Sequence, residues 1–295
     1  MSIKIKLLLS ALIGMLAGIA VWPLIEILLH KQNSMPSIIA ANSIFGAIIG
    51  LVFGVFIGST DGIITKSPGK IKSGVLSGLI FGLVGGVTGA VLGWILILAG
   101  GNAFFANGNN SNIMLILVKA FGWGILGVFI GLAGGFSLRS KGKAIQGVIG
   151  GFLGGFFGGI AFELIKQNDL SRNLARLAGL AVLGLFLGLF LTLTEKVFSK
   201  GILRQLNGKL KGKEFTLSYD RIKIGRSEKS DVGLFGFKMV ANRHAEIKKN
   251  ENSFIIEDAE APSGLIINGK KVKKHNLHSG DIITLGDARM VFLAK

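Results

Sequence analysis

The stretch from Ile222 to Ile247 reads "IKIGRSEKSDVGLFGFKMVANRHAEI". It is basic and rich in turn residues, and it follows almost two hundred residues of nearly continuous apolar sequence. Its neighbours are short runs: "EFTLSY", "RIKIG", "HAEIKK", "SFIIED", "GLIING", "DIITLG" and "RMVFLA". They are rich in Ile, Val, Phe and Leu, and turn signals such as "LNGK", "NGKK" and "SGD" separate them. Closely spaced strands with NG-type turns predict an all-β sandwich over residues 200–295. That length suits one hydrophobic core.

The upstream part has another character. Half of the 295 residues are hydrophobic and 45 are Gly, and the mean hydropathy is +0.61. Lys and Arg number 14 before residue 200 and 19 from there on; Asp and Glu number 5 and 11. A spanning helix needs roughly 20 apolar residues, because the bilayer core offers the backbone no hydrogen-bond partners. Six segments of residues 1–199 meet that length: about Leu7–Leu29, Ser37–Gly58, Gly74–Gly100, Ile113–Phe136, Ala144–Leu164 and Leu177–Phe198. The expected fold class is an α-helical membrane bundle of six transmembrane helices, in three repeated hairpins, followed by the sandwich.

Loop charge sets the expected orientation. Lys4 and Lys6 precede the first span, and Lys66, Lys70 and Lys72 lie between the second and third. Arg139, Lys141 and Lys143 lie between the fourth and fifth, and Lys196 and Lys200 close the sixth. The alternate loops hold Lys31 alone and the uncharged "GGNAFFANGNNSN"; the last, with Lys166, Arg172 and Arg176, is an exception. Both termini are expected on the cytosolic side of an inner membrane. The net charge of +17 then reflects proximity to a bilayer. No nucleic-acid partner is expected, because the soluble part lacks interleaved basic and aromatic residues.

The apolar part repeats itself. "GVFIGSTDGIITKSPGKIKSG" (Gly54–Gly74) and "GVFIGLAGGFSLRSKGKAIQG" (Gly127–Gly147) match at an offset of 73, and "GLFLG" (Gly184–Gly188) is a fainter copy. Odd spans follow "KIK", "KIK" and "KGK", and Glu26 and Glu163 lie twenty residues past Lys6 and Lys143. Gly at intervals of three or four gives a flat helix face on which backbones approach closely. Such faces also offer a surface for a homo-oligomer. The ionisable residues within spans, Glu26, Glu163 and Lys119, are read as interface anchors or an ion pair rather than a transport path.

The soluble part resembles the forkhead-associated family. The resemblance rests on "IKIGR", "DVGL", "NRHAEI", "FIIED", "SGLIING" and "LHSGDIITLG", in this order, from about Leu206 to Leu293. It implies a module that binds phosphothreonine peptides through loops at one end of a sandwich. Arg226 matches the family's phosphate-binding Arg, and Asn242 matches a position that contacts the peptide backbone. His244 matches a His that braces the loops. Gly225, Gly264, Asn268 and Gly269 match supporting positions, the last two as an Asn-Gly turn. The chain departs from the family at Ala241, where a phosphate-binding Ser is usual, and at Ser263-Gly264-Leu265, where "NGT" is usual. Ser263 and Lys238 are the candidates to replace the lost contact.

No catalytic residue, cofactor or metal is expected. Having no Cys excludes thiol chemistry and disulfides. His275 and His278 are read as solvated turn residues rather than ligands. Three readings follow: a membrane-held recruiter of phosphorylated or unmodified proteins, a channel or transporter with a regulatory domain, and a scaffold with a degenerate site.

Overall fold

The computed structural model describes residues 3–30, 37–65, 67–105, 111–137, 141–167, 171–217, 221–227, 230–250 and 253–294. Lys31, Lys66 and Arg139, used above for orientation, lie outside them. Six helices come first: α1 (Ile3–His30), α2 (Ile38–Thr65), α3 (Pro68–Phe105), α4 (Ser111–Ser137), α5 (Lys141–Lys166) and α6 (Arg172–Phe198). Each is long and apolar enough to cross a membrane. They start and stop where local chemistry dictates. Ser37 caps α2 by accepting the Ala40 amide at 3.1 Å, and Pro68 opens α3, where its missing N–H costs nothing.

Glycine decides how the helices pair. Gly46, Gly50, Gly54 and Gly58 of α2 meet Gly86, Gly82, Gly78 and Gly74 of α3, so that a Cβ at any of them would overlap facing backbone. Gly127 and Gly131 of α4 meet Gly151 and Gly147 of α5 in the same way. The third seam joins the two ends of the bundle. Gly184 and Gly188 of α6 meet Gly14 and Ser10 of α1. The seams step by four residues, as antiparallel helices packed through i±4 rows require. The closest packing thus joins α2 to α3, α4 to α5 and α6 to α1, one helix out of phase with a hairpin that goes out and comes back.

Three seams placed around one centre give a quasi-threefold bundle. Phe53, Leu126 and Leu183, each one residue before a seam glycine, are 0–3% exposed and share one core with Ile130 and Leu187. At one end of the bundle Arg176 clamps Glu26, its Nε 2.7 Å and Nη2 2.8 Å from the two carboxylate oxygens. Lys119 meets Glu163 at 2.9 Å and Lys166 approaches the same carboxylate at 3.5 Å. Glu26 and Glu163 are therefore in ion pairs, and two of the three cations in the exceptional loop are their partners.

The sandwich is seated at the other end. Among the described residues eleven strands follow: β1 (Gly201–Gln205), β2 (Glu214–Leu217), β3 (Arg221–Gly225), β4 (Val232–Gly233), β5 (Ala245–Asn250), β6 (Ser253–Asp258), β7 (Leu265–Ile267), β8 (Lys270–Val272), β9 (Lys274–Leu277), β10 (Ile282–Leu285) and β11 (Ala288–Ala294). One sheet runs β2-β1-β11-β10-β7-β8 and the other β4-β3-β5-β6-β9. Alternate residues point inward, and Leu203, Ile224, Ile247, Ile256, Leu265, Ile283 and Phe292 form the core between the sheets.

Only Ser199 and Lys200 separate α6 from β1, and side chains cross the junction. Glu195 of α6 accepts Lys6 of α1 through both oxygens at 2.8 Å and the Thr216 hydroxyl of β2 at 2.8 Å. Lys70 of α3 donates to the Ser230 carbonyl at 2.7 Å.

If backbone contact at the seams holds the bundle, Gly50→Val cannot be accommodated. It should destabilise the full chain in detergent by about 3 kcal/mol, seen as early loss of helical circular dichroism on heating. Leu76→Ala, at a residue 60% exposed on the bundle's outside, should leave the melt unchanged.

Candidate functional site

The loops that follow β3, precede β5 and precede β7 meet at one end of the sandwich, and backbone bonds lock them together. The Arg226 amide donates to the Ala241 carbonyl at 3.0 Å, and the Ser227 amide to the Asn242 carbonyl at 3.2 Å. Gly225 permits this approach, since a Cβ there would run into the Asn242 carbonyl. The Ser230 hydroxyl adds a bond to the same carbonyl at 3.3 Å.

His244 is the brace. It is fully buried, and its Nδ1 accepts the Ala241 amide at 3.1 Å. A backbone N–H can only donate, so the proton sits on Nε2, which donates to the Gly264 carbonyl at 3.1 Å. One neutral imidazole therefore ties the loop before β5 to the loop before β7. Gly264 takes φ +69°, a conformation that favours glycine. A second clasp comes from Asp287, whose two carboxylate oxygens accept the amides of Lys238 and Met239 at 3.1 Å each.

Arg226, Lys238 and Asn242 are exposed on these loops. The Ser263 hydroxyl donates to the Met239 carbonyl at 3.1 Å, so it serves loop closure. The structure thus brings Arg226, Asn242, Ser263, Lys238, Gly225, His244 and Gly264 to one end. It does not bring Asn268 and Gly269 there, which corrects the expectation that they support the loops. They lie at the opposite end of β7, in left-handed conformations with φ +50° and +82°. Asn268 donates to Asp281 Oδ1 at 2.8 Å and accepts the Ile282 amide at 2.8 Å.

His275 also departs from its expected solvated state. It is half-buried and bonds Asp281 Oδ2 at 3.0 Å, beside the His278 amide at 2.8 Å. Burial disfavours the Asp281 charge, but the His278 amide, Asn268 and His275 outweigh it and hold the carboxyl below the usual range.

Several contributors escaped the sequence reading. Asp287 and Ser230 act on backbone groups in turns, which leaves no residue pattern to find. Lys271 lies over Gly264 and adds a cation near Ser263. Arg243 is spent on Glu246, 2.7 Å away. The end as a whole presents Arg226, Lys238 and Lys271, a surface that attracts anions.

Residues 222–286 match the model of the FHA domain. The sandwich is an FHA domain. Among curated relatives, oxoglutarate dehydrogenase inhibitors of Corynebacterium efficiens and Corynebacterium glutamicum are 35% and 34% identical over 83 residues. Each alignment takes in 28% of this chain, and the chain spans 58% and 57% of those relatives. Among solved structures, an FHA domain from Chlamydia trachomatis is 27% identical, with TM-score 0.31, over 33% of this chain and 99% of that one. The N-terminal FHA domain of Saccharomyces cerevisiae Rad53p, solved with a phosphothreonine peptide, is 21% identical, with TM-score 0.30, over 32% and 94%. These matches concern the FHA domain; the six helices stand outside them.

Replacing His244 with Ala leaves the Ala241 amide and Gly264 carbonyl without partners. The loss should be about 2–4 kcal/mol of local stability. Hydrogen exchange of the full chain should then speed up at residues 238–244 and 263–265. Unchanged exchange there would remove His244 as the brace.

Proposed function

We propose that this protein holds partner proteins at a membrane. The six helices anchor it, and the FHA domain faces the cytosol and recruits a partner through the loops around His244. The lysines at the sandwich end of the bundle, among them Lys4, Lys6, Lys70, Lys72, Lys141 and Lys143, support this orientation through the positive-inside rule. The reading rests on one observation above all: exposed Arg226 and Asn242 stand on loops held rigid by a buried, fully bonded His244. A guanidinium on a preorganised loop suits a phosphate dianion, because it offers paired donors without first having to be ordered. The partner is a phosphothreonine segment, and the role is regulatory rather than catalytic. The inhibitor names of the Corynebacterium relatives agree with that role.

Ala241 qualifies the affinity. It removes one hydroxyl from the anion site, and Ser263 is bonded to Met239. A hydrogen bond to a charged group contributes about 1.5–3 kcal/mol, so binding should be roughly ten- to a hundredfold weaker than at a complete site. A phosphate-independent contact through the same loops is the second reading, favoured by this missing donor. A transport role fits less well. Phe53, Leu126 and Leu183 fill the centre of the bundle, and Glu26 and Glu163 are in ion pairs.

Titration of the full chain with a phosphothreonine peptide library tests this. Phosphorylated peptides should bind about tenfold tighter than unmodified controls. Arg226→Ala should erase that preference, and Ala241→Ser should strengthen it about tenfold or more. Equal affinity for both peptide forms would leave only the phosphate-independent contact.

A further inference from the structure

Where bundle and sandwich meet, they enclose a cavity of about 100 Å³. Its bundle wall carries Lys6, Lys70 and Lys143. These are repeat equivalents, each four residues before the small residue (Ser10, Gly74 or Gly147) that begins its seam. The quasi-threefold packing therefore delivers one lysine per helix pair to the same place. The sandwich adds Lys213 from the turn before β2.

The carboxylates do not balance these cations. Lys6 pairs with Glu195 at 2.8 Å and lies 3.4 Å from Asp61, and Lys143 pairs with Asp61. Two lysines and two acids thus account for one another. Glu214, also on the wall, is paired with Arg204 at 2.8 Å. That leaves Lys70 and Lys213 against Asp231, whose carboxylate already accepts the Lys223 amide at 2.8 Å. Lys70 spends one donor on the Ser230 carbonyl. Lys213 is only 9% exposed. Among the described residues its ammonium meets no oxygen; it lies over the Phe215 ring, 4.8 Å from the centroid. A largely buried lysine with no carboxylate beside its ammonium leaves its charge uncompensated. Burial, reinforced by Lys70 and Lys6, pushes its pKa down.

We propose that this cavity binds a phosphate oxyanion between Lys70 and Lys213. Both lysines line the cavity with donors to spare. The cavity has room for a phosphate group. A phosphodiester monoanion would cancel the single excess charge. The cavity lies at the helix ends, level with lipid headgroups if the helices span a bilayer. The phosphate can therefore come from a lipid or from solution.

The test uses the full chain. In neutral detergent, inorganic phosphate is titrated by calorimetry. In parallel, native mass spectrometry counts lipids retained from nanodiscs of phosphatidylglycerol or of phosphatidylcholine. Binding of inorganic phosphate identifies a soluble anion, and selective retention of one phosphatidylglycerol identifies a headgroup; either supports the site. In the arm that binds, Lys213→Gln and Lys70→Gln should each weaken binding about tenfold or more. Lys213→Arg, which keeps the charge, should preserve it. Arg226→Ala should leave it intact, which separates this cavity from the peptide site. The proposal is overturned if wild-type protein binds neither probe, or if binding ignores both lysine substitutions or vanishes with Arg226→Ala alone.

Discussion

Two helices can touch backbone to backbone only where neither has a side chain in the way. Three seams in this protein use that freedom, with Gly50 against Gly82, Gly127 against Gly151 and Gly184 against Gly14. Inside a bilayer, where apolar side chains gain little by leaving lipid for one another, close van der Waals contact is what remains to hold helices. A Cβ at these positions would push the pairs apart. Everything else in the bundle follows from the seams. They point Phe53, Leu126 and Leu183 at a common centre, and they bring Lys6, Lys70 and Lys143 to one end.

That lysine-bearing end is where the FHA domain is seated. A two-residue link after α6 leaves it little freedom, and Glu195 joins α1, α6 and β2 through Lys6 and Thr216. The Lys70 bond to Ser230 reaches the loop after β3, and the Ser230 hydroxyl reaches Asn242. Helix α3 and the loop carrying Asn242 are therefore two hydrogen bonds apart.

Part of this was legible in the sequence because it is written in what the residues lack. Glycine spacing and an offset of 73 mark the repeat and its flat faces, but not that they join α2 to α3 and α4 to α5. The α6–α1 seam is fainter, with "GLFLG" facing Ser10 and Gly14, and it joins the first helix to the last. The Glu26 and Glu163 positions were readable, and so was Lys119 as a partner for one of them; Arg176 was not, since it comes from another helix. In the FHA domain, Arg226, Asn242 and His244 are legible through their motifs. Asp287 and Ser230 are not, because backbone amides and carbonyls carry no signature. Asn268 misled for the converse reason: its motif is plain, but its place at the far end of β7 depends on strand length and direction.

Helix α6 returns to α1 and closes three glycine-seamed pairs into one bundle. Because the chain has no Cys, a Lys6→Cys/Glu195→Cys pair can be joined by a short bis-maleimide without side reactions. This pair should cross-link rapidly within one chain in native membranes, and a Lys6→Cys/Glu163→Cys control should not. Cross-linking of the 6–195 pair no faster than the control would contradict it.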